Sequence, residues 1–204
     1  MKATFKMPFI HIIILTGLCS LYLYSCNNNT AQTDDPPTRD QMLEQGKYLV
    51  ESMGCNDCHT PTIMTPNGPV DDSSRFLSGI RQTDTSLQPF DASEISLIKS
   101  GGAIILPTGA WTGGWGVSFP ANLTPDSTTG IGGWNADIFI RTIRSGKYQG
   151  VLAGRPLMPP MPWKVYSKLT DNDLKAIFAY LQTIPAVHNQ VPSYIPFNQI
   201  PIEK

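Results

Sequence analysis

Three amphipathic segments set among glycine- and proline-rich stretches predict a mostly α domain, with three main helices and one long loop-rich insertion. The helices follow from the spacing of the apolar residues. The loops follow from 17 Gly and 18 Pro in 204 residues, which limit how much regular structure can form. At 41% hydrophobic and 15% charged, the chain is too apolar to stay disordered. Its length suits one domain or at most two small ones. A formal net charge of −1 argues against nucleic acid as a partner, because phosphate binding draws on a Lys/Arg excess.

The first helix is expected over Asp40–Met53, where Met42, Leu43, Gly46, Leu49, Val50 and Met53 fall on one face and Asp40 serves as N-cap. A second is expected over Asn135–Lys147, with Ile138, Phe139, Thr142 and Ile143 inward and Gly146 at its exit. The last opens at Thr170, with Asp173 three residues on as a capping box, and stops at Pro185. Trp134, just before the middle helix, is expected near the core with a partner for its N–H. Between the first two helices, residues 60–120 form the insertion. It holds a turn at Thr65–Pro69, a short helix within Phe90–Ser100, and a small hairpin of Ala103–Leu106 with Trp111–Phe119 bending at Gly113-Gly114.

The N-terminus is an address. Lys2 and Lys6 precede an almost wholly apolar run from Phe9 to Tyr24, the pattern of a secretory signal. Leu23-Tyr24-Ser25-Cys26 resembles the lipobox of bacterial lipoproteins, which implies cleavage before Cys26 and lipid on that cysteine. An uncleaved anchor and simple secretion are the alternatives. On this reading residues 1–25 are signal, 26–39 a polar tether, 40–185 the domain and 186–204 a C-terminal tail. Cleavage removes two of the fifteen Lys/Arg and none of the sixteen Asp/Glu, leaving a balance of −3. Cys19 departs with the signal, so Cys55 and Cys58 are the thiols of the mature domain.

Those two stand in Cys55-Asn56-Asp57-Cys58-His59, the spacing of covalent haem c attachment. Residues three and four apart on a helical turn share a face, so both thiols and the imidazole address one planar ligand. The thiols form thioethers with the porphyrin and His59 binds the iron. A zinc site wants four ligands, and the mature chain adds only a remote His188. A redox dithiol lacks its βαβ surroundings, and a plain disulfide leaves His59 without a role. A single motif implies a single haem.

The sixth iron position falls to Met161, in Pro156-Leu157-Met158-Pro159-Pro160-Met161-Pro162-Trp163. Prolines on both sides forbid helix and hold the strap extended, and a thioether ligand raises the reduction potential relative to a second imidazole. Met158 is the rival and Met64 a more distant one. Arg155 is a candidate propionate partner, with Arg75 and Arg81 behind it.

The haem motif after the first helix, the Met-Pro loop and the closing helix resemble the class I cytochromes c. Asn122-Leu123-Thr124-Pro125-Asp126, Thr129-Gly130-Ile131-Gly132-Gly133-Trp134 and the Met161-Pro162-Trp163 step narrow this further. They resemble the cytochrome subunits of membrane-bound alcohol, aldehyde and nicotinate dehydrogenases, and monohaem lipoproteins like them. The resemblance implies a cytochrome c-like fold around one haem, with Met161 as iron ligand. It implies that Gly46 lies against an aromatic of the last helix, Phe178 or Tyr180. It also implies that a loop carbonyl accepts the Nδ1 proton of His59, for which Pro69 is the candidate. Pro69, Trp134, Trp163 and Arg155 thus form the expected surroundings of the haem.

The function expected is one-electron transfer by a haem protein tethered to a membrane by lipid on the periplasmic side, without catalysis of its own. Its partners are redox proteins, themselves membrane-bound. The negative balance favours a basic patch on the partner. A gas-binding or peroxidase-like protein with a labile sixth ligand is one alternative. A subunit of a larger dehydrogenase or oxidase, with the Trp-rich 100–120 segment as interface, is the other.

Overall fold

In a computed structural model, the described residues are 36–81, 83 and 87–203. The expected signal, the expected lipidation site Cys26 and most of the expected tether lie outside them. Helix α1 (Arg39–Ser52) is capped by Thr38, whose hydroxyl accepts from the Gln41 N–H while the Gln41 side chain accepts from the Thr38 N–H. The cap is therefore two residues earlier than expected at Asp40, which sits in the first turn. Threonine with glutamine three residues later closes both orphan donors, and such a cap contributes about 1 kcal/mol. Helix α2 (Cys55–His59) follows at once, and α3 (Ala92–Lys99) begins at the Asp91/Glu94 capping box. Helix α4 (Ala136–Ser145) is capped by the Asn135 side chain and ends at Gly146 in the left-handed conformation. Helix α5 is Trp163–Tyr166, and α6 (Asp171–Leu181) opens with the Thr170/Asp173 box, as the sequence pattern required.

Helices α1 and α6 cross at Gly46. A Cβ there would run into the Ala176 carbonyl and lie 2.8 Å from the Tyr180 Cβ. Of the two aromatics expected at this crossing, Tyr180 takes the place. Phe178 turns into the core, its ring 5.6 Å from that of Phe139 on α4. Around this crossing Leu49, Val50, Ile143, Leu174, Ile177 and Leu181 make the main core.

The insertion is more ordered than its composition suggests. Strands β1 (Thr62–Thr65) and β2 (Gly68–Asp71) form a hairpin where only a turn was expected. Strands β3 (Ile104–Ile105), β4 (Trp111–Gly113) and β5 (Gly116–Ser118) are antiparallel neighbours, with the bend at Gly113–Gly116. A fourth strand, β6 (Ile195–Pro196), pairs with β5 and comes from the segment expected to be a tail. That segment goes on to pair with Phe90, whose N–H donates to the Pro201 carbonyl at 2.9 Å. Insertion and C-terminal segment together bury a second core of Ile80, Phe90, Ile95, Ile98, Val117 and Ile200. Sequence periodicity missed β6 because two residues are too short to show alternation.

Gly46→Val should cost about 3 kcal/mol through overpacking against the α6 backbone. Chemical denaturation of the two proteins, read by far-ultraviolet circular dichroism, measures it.

Candidate functional site: a thiol–imidazole turn facing a methionine strap

The site hangs from the end of α1. Gly54, at φ +67°, reverses the chain so that α2 starts after only two intervening residues. Its single turn carries Cys55, Cys58 and His59. Both cysteines are free. Burial, reinforced by Asp57, pushes the Cys55 thiol up to about 11. Burial and Asp57 also raise Cys58, against a hydrogen bond from the Trp111 side chain. Both therefore stay protonated at neutral pH.

His59 is anchored twice. Its Nδ1 lies 2.7 Å from the Ala121 carbonyl, and its own carbonyl accepts from the Gly79 N–H at 2.7 Å. A carbonyl can only accept, so Nδ1 carries the proton and Nε2 keeps the lone pair for a metal. Burial lowers the pKa of this histidine, which keeps it neutral. The acceptor is thus Ala121 and not Pro69. Pro69 sits in β2 opposite Met64, and the hairpin directs it elsewhere.

A cavity of about 520 Å³ opens over this turn, within the range of small-molecule and cofactor sites. Cys55, Cys58 and His59 line it, as do Met158, Met161 and Trp111, and the lining is mainly apolar. The strap bearing the methionines is tied down on both sides. The Ser118 hydroxyl donates to the Pro159 carbonyl at 2.5 Å. The Tyr166 hydroxyl donates to the Met53 carbonyl at 2.9 Å, joining the strap to the end of α1. Met161 also packs on the main core, which Met158 does not.

Trp134 and Arg155 both line the cavity, and both contact Tyr148. The Trp134 ring stands edge-on to Tyr148 at 5.5 Å, and the Arg155 guanidinium lies 4.7 Å over that same Tyr148 ring. Trp163 does not line the cavity. It fills the space beside Gly146, with Lys164 over its ring. Met64 is 80% exposed on the hairpin and takes no part. Neither Arg75 nor Arg81 lines the cavity, and Arg75 donates to the Gly79 carbonyl at 3.3 Å.

Sequence reading missed Trp111, Ser118, Tyr166, Ala121 and the wall formed by Gln190–Tyr194. Only Ala121 carried a signal, since it adjoins the Asn122–Asp126 motif. That motif proves to be a hydrogen-bonded loop. The Asp126 carboxylate accepts from the hydroxyls and N–H groups of Thr129 and Thr128, which holds it well below the usual carboxylate range. His188 stands 3.6 Å away at the surface.

Two thiols and a Nδ1-protonated imidazole on one turn, facing an apolar cavity with a tethered thioether beyond, suit a flat prosthetic group held covalently. The family model for cytochrome c matches residues 43–185, more than half of the chain. The chain belongs to the cytochrome c family, whose members carry covalently bound haem c. It is 27% identical to the fructose dehydrogenase cytochrome subunit of Gluconobacter japonicus, over 87% of this chain and 29% of that protein. It is 36% identical to the gluconate 2-dehydrogenase cytochrome c subunit of Pantoea cypripedii, over 72% of this chain and 24% of the other. With a nicotinate dehydrogenase subunit of Pseudomonas putida it shares 35% identity over 43% of this chain and 7% of that protein. The chain thus spans less than a third of the length of these relatives.

Asp126→Ala should lower the melting temperature at pH 7. Because folding depresses this pKa, the stabilisation is complete above the ordinary value of 3.8 and is lost as pH falls through the folded-state value. The gap between the two melting temperatures should therefore stay constant from pH 7 to about pH 5, and begin to narrow only as the pH falls below 3.8.

Proposed function

We propose that this protein is a one-electron carrier holding a single haem c with His59 and Met161 as axial ligands, acting for a dehydrogenase. The observation that carries the reading is the shared cavity: Cys55, Cys58 and His59 on one wall and the anchored Met161 strap lining the same space. Cys55 and Cys58 hold the group by thioether links, His59 offers Nε2 and Met161 its sulfur. Haem supplies a one-electron couple, and a thioether axial ligand favours its reduced form. The chain's own residues exclude water and hold both ligands still. Ala121 fixes the imidazole, while Ser118 and Tyr166 fix the strap. The names of the relatives support a dehydrogenase as electron donor. The lipobox-like Leu23–Cys26 supports export and a lipid anchor facing the periplasm, with membrane-bound partners within reach.

The charge around the strap supports an acidic partner surface, opposite to what the whole-chain balance suggests. Between Ile138 and Thr170 the chain carries Arg141, Arg144, Lys147, Arg155, Lys164 and Lys168 and no Asp or Glu. These residues are neighbours in space. Gly150 abuts Arg141, Gly146 abuts Trp163, and Arg144 reaches the Ser167 carbonyl. Arg144 is paired with Asp171. Val151, Leu152 and Val165, in the same stretch of chain, are exposed.

Absorption spectra of the haem-loaded protein test the ligands. The unmutated protein and Met158→Ala should be low-spin, show the thioether-to-iron charge-transfer band and refuse carbon monoxide. Met161→Ala should lose the band and bind carbon monoxide. Ready carbon monoxide binding by the unmutated protein would instead favour a gas-binding or peroxidase-like role. Stopped-flow oxidation tests the charge. An anionic oxidant should react about tenfold faster than a cationic one of matched potential at low salt. The combined Arg141→Glu, Lys164→Glu and Lys168→Glu variant should reverse that preference.

A further inference from the structure

We propose that Asn189, beyond the end of the family match at residue 185, is a positioning residue for the axial histidine. The inference rests on the haem reading above. Asn189 is 7% exposed. Its carboxamide nitrogen faces three successive carbonyls, those of Ser78 at 2.7 Å, Gly79 at 3.3 Å and Ile80 at 3.2 Å. Three main-chain acceptors converging at one point would repel one another without a donor between them, so the amide closes this turn.

The turn is the one that holds His59. The Gly79 N–H donates to the His59 carbonyl, and the α-carbon of Gly79 lies directly under Ala121. A Cβ at Gly79 would come within 2.9 Å of the Ala121 carbonyl oxygen. The adjoining Leu123 N–H donates to the Leu77 carbonyl at 2.9 Å, so the two segments run side by side. Gly79, at φ +72°, allows this approach where no other residue would.

Asn189 also grips the second segment. Its main-chain N–H donates to the Thr129 hydroxyl at 3.0 Å, and the Asn122 carboxamide donates to the same hydroxyl at 3.1 Å and to the Val187 carbonyl at 2.8 Å. Residues 187–189 therefore clamp both the turn under His59 and the loop whose carbonyl takes its Nδ1 proton. A short, fixed Nδ1–H···O bond makes the imidazole a more basic ligand and favours the oxidised iron. Loosening the clamp weakens that bond and favours the reduced form.

The test uses the full haem-loaded chain and three variants: Asn189→Ala, Thr129→Val and Ile98→Ala. Thr129→Val removes the shared hydroxyl and keeps the Asn189 amide, so it reports even if Asn189→Ala fails to fold. Ile98→Ala cuts a cavity in the second core, away from His59, and calibrates a loss of stability alone. Equilibrium redox titration and exchange of the His59 Nδ1 proton, followed by nuclear magnetic resonance, are the readouts. Asn189→Ala should shift the potential upward and speed proton exchange. Thr129→Val should do so less, and Ile98→Ala should do neither. Unchanged potential and exchange in both clamp variants, with only a lower melting temperature, would overturn the proposal. Absence of covalent haem from the unmutated protein in a pyridine haemochrome assay would overturn the haem reading itself, and is seen before any variant is made.

Discussion

The close approach of α1 and α6 at Gly46 is the constraint from which the rest of the structure hangs. The backbones touch because position 46 has no side chain, and the Tyr180 and Ala176 surface fills that space. Two residues separate the end of α1 from the start of α2, so the crossing also sets where Cys55, Cys58 and His59 stand. The strap is referred to the same point, because Tyr166 bonds the Met53 carbonyl at the close of α1. One helix end thus serves as origin for both walls of the cavity, and neither wall can shift without the other.

How much of this was legible depended on the range of the interactions. Local chemistry read well: the Thr170/Asp173 capping box and the turn of Cys55–His59 are written in residues three or four apart. The crossing was half legible, since glycine on a helical face announces a close contact and leaves its partner open. Ala121 was misread as Pro69 because the acceptor lies 62 residues from His59 in the chain, and no local pattern encodes such a distance. The strand β6 was invisible because two residues show no alternation and their partner strand lies far off in the chain. It exists because β5 offers an open edge, a property of the folded insertion and not of Ile195–Pro196 themselves.

Charge shows the same division between chain and surface. The −1 net charge of the sequence conceals one long stretch of a single sign. A run of thirty-three residues from 138 to 170 holds six cations and no acid, and folding gathers that run around the strap. A partner meets the local field within about a Debye length, ~8–10 Å at physiological salt, and not the sum over the chain.

The wall formed by Gln190–Tyr194 gives the fold a direction in time. Any chain that emerges N-terminus first presents its two thiols and imidazole more than a hundred and thirty residues before that wall arrives. Until then the second core lacks Ile200, the sheet lacks β6, and the turn under His59 lacks its amide. The cavity's last wall in chain order is thus made by the lining residues farthest in sequence from Cys55, Cys58 and His59. The C-terminal segment is the closing panel of the container, joined to the insertion through β6 and Ile200 and to the turn under His59 through Asn189.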